Sequence, residues 1–303
     1  MSLGYDLKRA FDCEVLSAGT PTGEVALFRC LIKAIELMRG YRACEIHGKK
    51  HQVQYIETEG WFTKKPRCEL GDVAIIAFSP QKNQARFVIV QNKLSYPSRG
   101  RLGNKTSQIC ASLVQFELLC KRPYFELVNG THKGKSNGLI KHSPYPSVCL
   151  YGIFYNQGSG VNMSAITADK FAFDASWKRK SNYPCAVIQF EKNFQNRANR
   201  WEPDFVAAET IEDFGDLLED LYIGRPITSR TQKDIKDLLF NISEAHLDDR
   251  SKSIIADFSG MDIVDSLDEN KREENIAETD FEDILNVCRS LVLINVDEQR
   301  SIY

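Results

Sequence analysis

Three polar side chains, a carboxylate, an amide and an ammonium, stand at the ends of two apolar segments. Asp72 precedes the apolar run 73–78, and Gln91 and Lys93 follow the run 87–90. The turn-forming residues between the runs predict a β-hairpin. Residues two apart leave a strand on the same face, and the start of one antiparallel strand lies beside the end of the next. We therefore expect a carboxylate, a side-chain amide and an ammonium to converge at one end of an apolar sheet.

Two interpretations fit this convergence. A lysine that ends a buried strand is costly to desolvate unless it is paired, so Lys93 could reach water or form an ion pair with Asp72. Alternatively, the oxygens of Asp72 and Gln91 could bind a divalent cation while Lys93 orients the attacking water. The residues alone leave both interpretations open.

The order of these residues resembles the signature of the PD-(D/E)XK nuclease superfamily, here as Gly71-Asp72 and Gln91-Asn92-Lys93. The resemblance covers residues 23–125. Glycine replaces the family's proline, and Gln91 replaces the second acid, which removes one negative charge from the site. The resemblance implies an α/β (α+β) domain of restriction endonuclease-like fold, with a central mixed sheet flanked by helices. It also implies a restriction- or repair-like hydrolase that cuts phosphodiester bonds, with DNA as the expected substrate.

The same resemblance implies roles for individual residues and a metal cofactor, Mg²⁺ or Mn²⁺. Asp72 would be the charged metal ligand, Gln91 would offer its amide oxygen, and Lys93 would stabilise charge in the transition state. The helix before the sheet often carries a glutamate that reaches the metal, and Glu24 matches that position. Glu24 has a second explanation, because an acid in the first turn favours the positive end of the helix dipole.

The segments around the hairpin supply the elements of the predicted fold. A helical stripe begins near residue 24 and ends at Gly40. Polar–apolar alternation over residues 51–62 predicts the first strand of the sheet, paired with the strand of Asp72. Further predictions are a helix over residues 106–120 and buried strands over 148–155 and 185–190.

Basic residues flank the motif on both sides and are candidates for contact with phosphates. They are Lys64, Lys65 and Arg67 before it, and Arg99, Arg101 and Lys105 in the glycine-rich loop after it. Solvated loops in general share this composition, so the functional assignment is a hypothesis.

Charge divides the chain into two parts. Residues 1–200 contain 29 lysines and arginines against 15 acids, a balance of +14, whereas residues 201–303 contain 10 against 26, a balance of −16. We predict a basic nuclease domain over residues 1–201 and an acidic, mostly helical subdomain over 202–303, with helices over 231–247 and 280–293. A basic body is typical of nucleic-acid binding, and the acidic part could cover it.

Composition predicts a cytoplasmic globular protein that does not enter membranes. The chain has 303 residues, 43% of them hydrophobic, and no apolar run long enough for a transmembrane helix. Its nine cysteines form no CxxC pair, which argues against a zinc site and a disulfide framework. Nucleases that cut duplexes often act as dimers, so a homodimer is one possible oligomeric state.

Three function classes follow from these patterns. The first is the metal-dependent nuclease. The alternatives are a catalytically inactive nucleic-acid-binding protein, favoured by Gln91, and a protein-interaction module on the same fold, favoured by the acidic half. The chain contains no GxSxG, Walker or HExxH motif that would point to another enzyme class.

Overall fold

The computed structural model describes residues 2–38, 41–45, 52–56, 65–95, 102–105, 108–128, 136–137, 140, 145–173, 185–190, 207–228, 249–261, 263 and 288–297. The α-helices in this part are α1 Leu3–Ser17, α2 Glu24–Leu37, α3 Leu113–Lys121, α4 Ile211–Glu219 and α5 Asp249–Gly260. The strands are β1 Tyr41–Glu45, β2 Val53–Tyr55, β3 Arg67–Cys68, β4 Gly71–Ser79, β5 Gln84–Leu94, β6 Gln108–Ser112, β7 Phe125–Leu127, β8 Ser136–Asn137, β9 Cys149–Gln157, β10 Gly160–Thr167, β11 Phe171–Phe173, β12 Cys185–Phe190, β13 Ala207–Ala208, β14 Arg225–Pro226 and β15 Cys288–Asn295.

A mixed sheet forms the centre of the fold, in the order β1-β15-β4-β5-β9-β10-β13, with β14 paired to β5. The pairs β15–β4 and β5–β9 are parallel, and the other pairs are antiparallel. Two smaller sheets, β11-β12-β6 and β3-β2-β7-β8, accompany it. The predicted α/β class, with a central mixed sheet flanked by helices, is therefore confirmed at that level.

The predicted hairpin is confirmed as β4 and β5, which pair from Val73–Val90 to Ser79–Gln84. All nine residues of β4 are buried, because both faces of the sheet are covered. One face packs with α1 and α2, as Ile75 shares a core cluster with Leu31. The other packs with α3, as Ile76 shares a core cluster with Phe116. Burial on both faces explains the nearly continuous apolar runs in the sequence.

The predicted first strand over residues 51–62 is wrong as a partner of the Asp72 strand. Within the described residues, only Val53–Tyr55 form a strand there, and β2 pairs with β3 and β7 in a separate sheet. The neighbour of β4 on the side away from β5 is β15, whose residues Leu291–Ile294 are all buried. Alternation indicates a half-buried strand but not its partner, and a continuously apolar strand suits a central position better.

Parts of two segments that were predicted to be helical form strands in the structure. Within residues 106–120, burial alternates over β6, where Ile109 is buried and Cys110 is exposed, and the helix begins only at Leu113. Residues 288–293 of the helix predicted over 280–293 belong to β15. A short apolar run fits a buried strand as well as a helix, and periodicity cannot separate them. The helix predicted over residues 231–247 lies outside the described residues. So does Gly40, the predicted end of the first helical stripe.

Segments from the acidic half take part in the central sheet. Strands β13, β14 and β15 pair with β10, β5 and β4, respectively, and α4 lies against α1. The boundary predicted at residue 202 stays a prediction, but a cut there would remove all three strands from that sheet.

The acids of α4 cap the N-terminus of α1. The backbone N–H of Leu3 donates to Oε2 of Glu219 at 2.8 Å, and that of Gly4 donates to Oδ1 of Asp216 at 3.0 Å. These carboxylates satisfy amide groups that have no partner within the helix and oppose the positive end of its dipole. Part of the acidic charge in the second half therefore acts inside the fold.

The contact between α1 and α4 depends on two glycines. A Cβ added to Gly4 would lie 1.9 Å from the carbonyl oxygen of Glu212, and one added to Gly215 would lie 2.5 Å from the Cα of Gly4. We expect Gly4→Ala to lower the free energy of unfolding by about 2 kcal/mol or more, since the helices must separate. Urea denaturation measures the change. Gly260→Ala is the control, because no atom lies within 4 Å of its added Cβ. Equal stability of the two variants would contradict this packing.

The described cysteines are free thiols. Cys30, Cys149 and Cys288 are buried, whereas Cys13 and Cys110 are exposed. Burial raises the pKa of Cys149 to about 12, so this thiol stays neutral and unreactive. No helix in the described part of the chain combines the length and apolar character needed to span a bilayer.

Candidate active site at the ends of β4 and β5

The start of β4 and the end of β5 bring Asp72 and Gln91 into contact, while Lys93, two residues further along β5, pairs with Glu24. Asp72 is the second residue of β4, and Gln91 and Lys93 lie near the end of β5. Asp72 and Gln91 are 4% and 3% exposed, respectively. Buried polar groups in such a place need partners, and the structure supplies one for each of the three side chains.

The Asp72 carboxylate accepts hydrogen bonds from two N–H groups. Its Oδ2 accepts from Nε2 of Gln91 at 2.6 Å and from the backbone N–H of Asn92 at 2.7 Å. Hydrogen bonds to a charged acceptor in a low-dielectric site are strong and stabilise the ionised carboxylate. Negative charge is thereby fixed at this end of the sheet.

The amide of Gln91 points opposite to the predicted ligand role. Its Nε2 faces Asp72, and its Oε1 accepts a hydrogen bond from Nε2 of Gln115 on α3. The same Nε2 of Gln115 donates to the backbone carbonyl of Glu69 at 3.3 Å. In this arrangement Gln91 offers nitrogen, not oxygen, to the Asp72 carboxylate.

Gln115 is a site residue that the sequence pattern did not reveal. It is buried on α3, only 8% exposed, among apolar residues of the helix. A polar side chain next to Phe116, within an apolar helical segment, was the available signal. Long polar side chains are seldom buried without a specific partner.

Lys93 pairs with Glu24 and not with Asp72, the partner that the simpler interpretation assigned to it. The Nζ of Lys93 lies 2.9 Å from Oε1 of Glu24, and the two side chains are 13% and 35% exposed. Glu24 lies in the first turn of α2, so it also opposes the positive end of that helix dipole. Both roles considered for Glu24, proximity to the motif and helix stabilisation, are therefore compatible with its position.

The oxygen atoms of Asp72, Glu24 and Gln91 are of the type that binds a hard divalent cation, but the amide of Gln91 is not oriented to do so. Mg²⁺ is commonly held by one or two carboxylates together with water, and Asp72 and Glu24 are two such groups. Among the described residues, no three Asp, Glu, His or Cys side chains gather around one point. The amide oxygen of Gln91, the other predicted ligand, is turned away from Asp72 by the hydrogen bond from Gln115.

The strand beside β4 adds a thiol close to this charge. Cys288 on β15 pairs with Gly71. Burial raises the pKa of the Cys288 thiol, and the Asp72 carboxylate raises it further. The thiol is therefore neutral and does not supply the negative charge that the replacement by Gln91 removes.

The described candidates for phosphate contact before the hairpin lie on β3 or just before it. Lys65 and Arg67 are exposed. The Nζ of Lys65 lies 3.4 Å from Oε2 of Glu126. An exposed ion pair of this kind contributes little and leaves the ammonium available to a stronger anionic partner. Lys64 lies outside the described residues.

Of the three residues after the hairpin that were predicted to contact phosphates, Lys105 lies within the described residues. Its Nζ lies 3.0 Å from Oε2 of Glu209 and 5.5 Å from the centre of the Tyr155 ring. Glu209 belongs to the acidic half, so this pair is an attraction between the two parts of the chain. Arg99 and Arg101 lie outside the described residues.

No protein-family model, curated protein or solved structure matches this chain. The resemblance to the PD-(D/E)XK superfamily consequently rests on the motif residues and on the elements that carry them. What the site can do depends on the chemistry of its polar side chains, Asp72, Gln91, Lys93, Glu24 and Gln115.

Proposed function

We propose that the chain is a divalent-metal-dependent nuclease that hydrolyses phosphodiester bonds, with DNA as the expected substrate. One observation carries the proposal. Residues 91 and 93, two apart near the end of β5, each take part in a close polar pair, Asp72–Gln91 at 2.6 Å and Glu24–Lys93 at 2.9 Å.

The order of elements also supports a restriction endonuclease-like fold. Helix α2 precedes the hairpin β4–β5, and α3 follows it before β9 pairs parallel to β5. A helix before the sheet and another after the lysine strand are what the resemblance implies. The fold departs from this order at β4, because β15 takes the place that was expected for the first strand of the sheet.

Each residue has a distinct chemical task under this proposal. Asp72 and Glu24, with the amide oxygen of Gln91, would hold Mg²⁺ or Mn²⁺, and such an ion lowers the pKa of a bound water and polarises the phosphate. Lys93 would stabilise the negative charge that develops on the phosphate. Because its side chain is only 13% exposed, its charge is screened less than that of a surface lysine.

The second candidate is a nucleic-acid-binding or protein-interaction protein with an inactive site. It is favoured by the orientation of Gln91, which directs an N–H group and not its amide oxygen to the Asp72 carboxylate. Cleavage assays separate the two candidates, with single- and double-stranded DNA and RNA in Mg²⁺ or Mn²⁺ against EDTA. Metal-dependent cutting supports the nuclease, and its absence with every substrate favours the inactive protein.

The basic part should bind nucleic acid in a salt-dependent manner. We expect affinity to fall steeply as salt rises, because each neutralised phosphate releases counterions. Lys105→Ala should weaken binding about threefold to tenfold at low salt and reduce the log–log salt slope by about one. Filter binding or fluorescence anisotropy over a salt series measures both quantities.

Lys8→Ala is the matched control for that experiment. Lys8 also forms an ion pair, with Asp12 on α1, but it lies outside the predicted phosphate-binding segments. Its loss should leave the salt slope unchanged. Binding that is indifferent to salt, or equally weakened by both substitutions, would contradict the assignment of Lys105.

A further inference from the structure

We infer that Gln115 is a positioning residue that fixes the amide orientation of Gln91 and thereby sets the affinity of the site for a divalent cation. This inference rests on the proposed function. It concerns a hydrogen-bonded chain that runs from the backbone carbonyl of Glu69 through both glutamines to the carboxylate of Asp72.

The direction of this chain is fixed at both ends by groups that only accept. The backbone carbonyl of Glu69 accepts from Nε2 of Gln115, so that nitrogen faces Glu69 and Gln91 together. Gln91 must then direct Oε1 towards Gln115 and Nε2 towards Asp72. An amide has one donor end and one acceptor end, so the orientation of the first glutamine determines that of the second.

Binding a cation reverses what Gln91 has to offer. A cation beside Asp72 attracts the amide oxygen and repels the N–H group. Rotation of Gln91 alone would place its Nε2 against Nε2 of Gln115, two donors without an acceptor. Both side chains are buried, so water does not relieve that conflict, and the unmade hydrogen bond opposes metal binding.

Removing the donor of Gln115 should therefore free Oε1 of Gln91, whose Nε2 would then be held only by Asp72 and, at 3.3 Å, by the backbone carbonyl of Asn92. We expect Gln115→Met, which keeps the side-chain length and the net charge, to tighten Mn²⁺ binding about threefold to tenfold, the size of one net hydrogen bond. Titration of the full chain followed by the EPR signal of free Mn²⁺, or by calorimetry, measures the dissociation constant without any cleavage.

The Gln91→Glu background is the control that isolates orientation from packing. A glutamate at this position would present oxygen to the cation in either orientation and would accept from Gln115 without conflict. In that background Gln115→Met should leave Mn²⁺ affinity unchanged or weaken it. A double-mutant cycle over positions 91 and 115 measures this difference. We expect Gln115→Met to tighten Mn²⁺ binding when Gln91 is present and to leave it unchanged or weaken it in the Gln91→Glu background.

The outcomes separate this inference from the proposed function. If Gln91→Glu binds Mn²⁺ but Gln115→Met leaves the wild-type affinity unchanged, or weakens it in both backgrounds, the inference is overturned and the nuclease proposal stands. If no variant binds Mn²⁺, Gln91→Glu included, the metal-dependent function itself fails and the inference with it. Should Gln115→Met not fold, Gln115→Glu tests the same point. The carboxylate of Gln115→Glu can accept a hydrogen bond from Nε2 of a rotated Gln91. The substitution must therefore tighten Mn²⁺ binding more when Gln91 is retained than in the Gln91→Glu background.

Discussion

Asp72→Asn and Lys93→Ala should each abolish metal-dependent DNA cleavage, lowering the rate by at least about a hundredfold. Asp72→Asn removes a negative charge at the ends of β4 and β5 where a cation would bind. Lys93→Ala removes the ammonium that would stabilise the transferred phosphate. Single-turnover cleavage of labelled duplex DNA with Mg²⁺ or Mn²⁺ measures the loss, with wild-type protein and EDTA as references.

Both substitutions should leave the fold intact, so the loss is one of chemistry. Asparagine has nearly the size of aspartate, and Glu24, which loses its ion pair in Lys93→Ala, has a side chain that is 35% exposed to water. Because the Lys93 side chain is itself only 13% exposed, we expect loss of the ion pair to lower the free energy of unfolding by about 1 to 3 kcal/mol, less than the stability of an ordinary domain. Variants that cut as fast as wild type would place the active site elsewhere. Wild-type protein that cuts none of the DNA and RNA substrates would refute the enzyme proposal for them.

Val292→Asp should unfold the protein or leave it barely stable. Val292 has no exposed surface, and β15 sets it between Ala43 of β1 and Ile75 of β4. An unpaired carboxylate in such a core costs several kcal/mol, which is comparable with the whole stability of an ordinary domain. Urea denaturation followed by circular dichroism, together with size-exclusion chromatography, measures the effect.

Val25→Asp is the matched control, because it makes the same chemical change on α2 at a side chain that is 49% exposed. Its effect should stay within about 0.5 kcal/mol. A Val292→Asp protein as stable as the control would show that β15 does not fill the centre of the sheet.

The same placement of β15 makes truncation after residue 202 a poor test of whether the acidic half covers the basic part of the chain. A surface change such as Glu209→Gln tests it without removing a strand.

The local pattern was sufficient for the hairpin and for the meeting of Asp72 with Gln91. Alternating turn and apolar segments determine an antiparallel pair, and the register of that pair then brings the start of β4 beside the end of β5. Both consequences depend on residues close in sequence. Local preferences and tertiary packing agree there, which is where sequence-based reasoning is strongest.

The partner of β4, the partner of Lys93 and the role of Gln115 were beyond the sequence pattern. The first depends on a strand near the C-terminus whose short apolar run also fits a helix. The second depends on where α2 begins relative to the sheet, since Asp72 and Glu24 are equally suitable anions. The third depends on which side of α3 faces Gln91. Each requires the packing of elements distant in sequence.

The position of β15 also dictates when this protein can fold during synthesis. Gly71 pairs with Cys288, so the edge of β4 that faces away from β5 has no permanent partner until β15 has been synthesised. Closing so long a loop is slow, and an unpaired apolar strand edge invites association with other chains. We expect nascent chains that lack residues 288–295 to depend on chaperones and to aggregate when released. The motif residues are synthesised well before β15, so the sheet that carries Asp72 is complete only once residues 288–295 have left the ribosome.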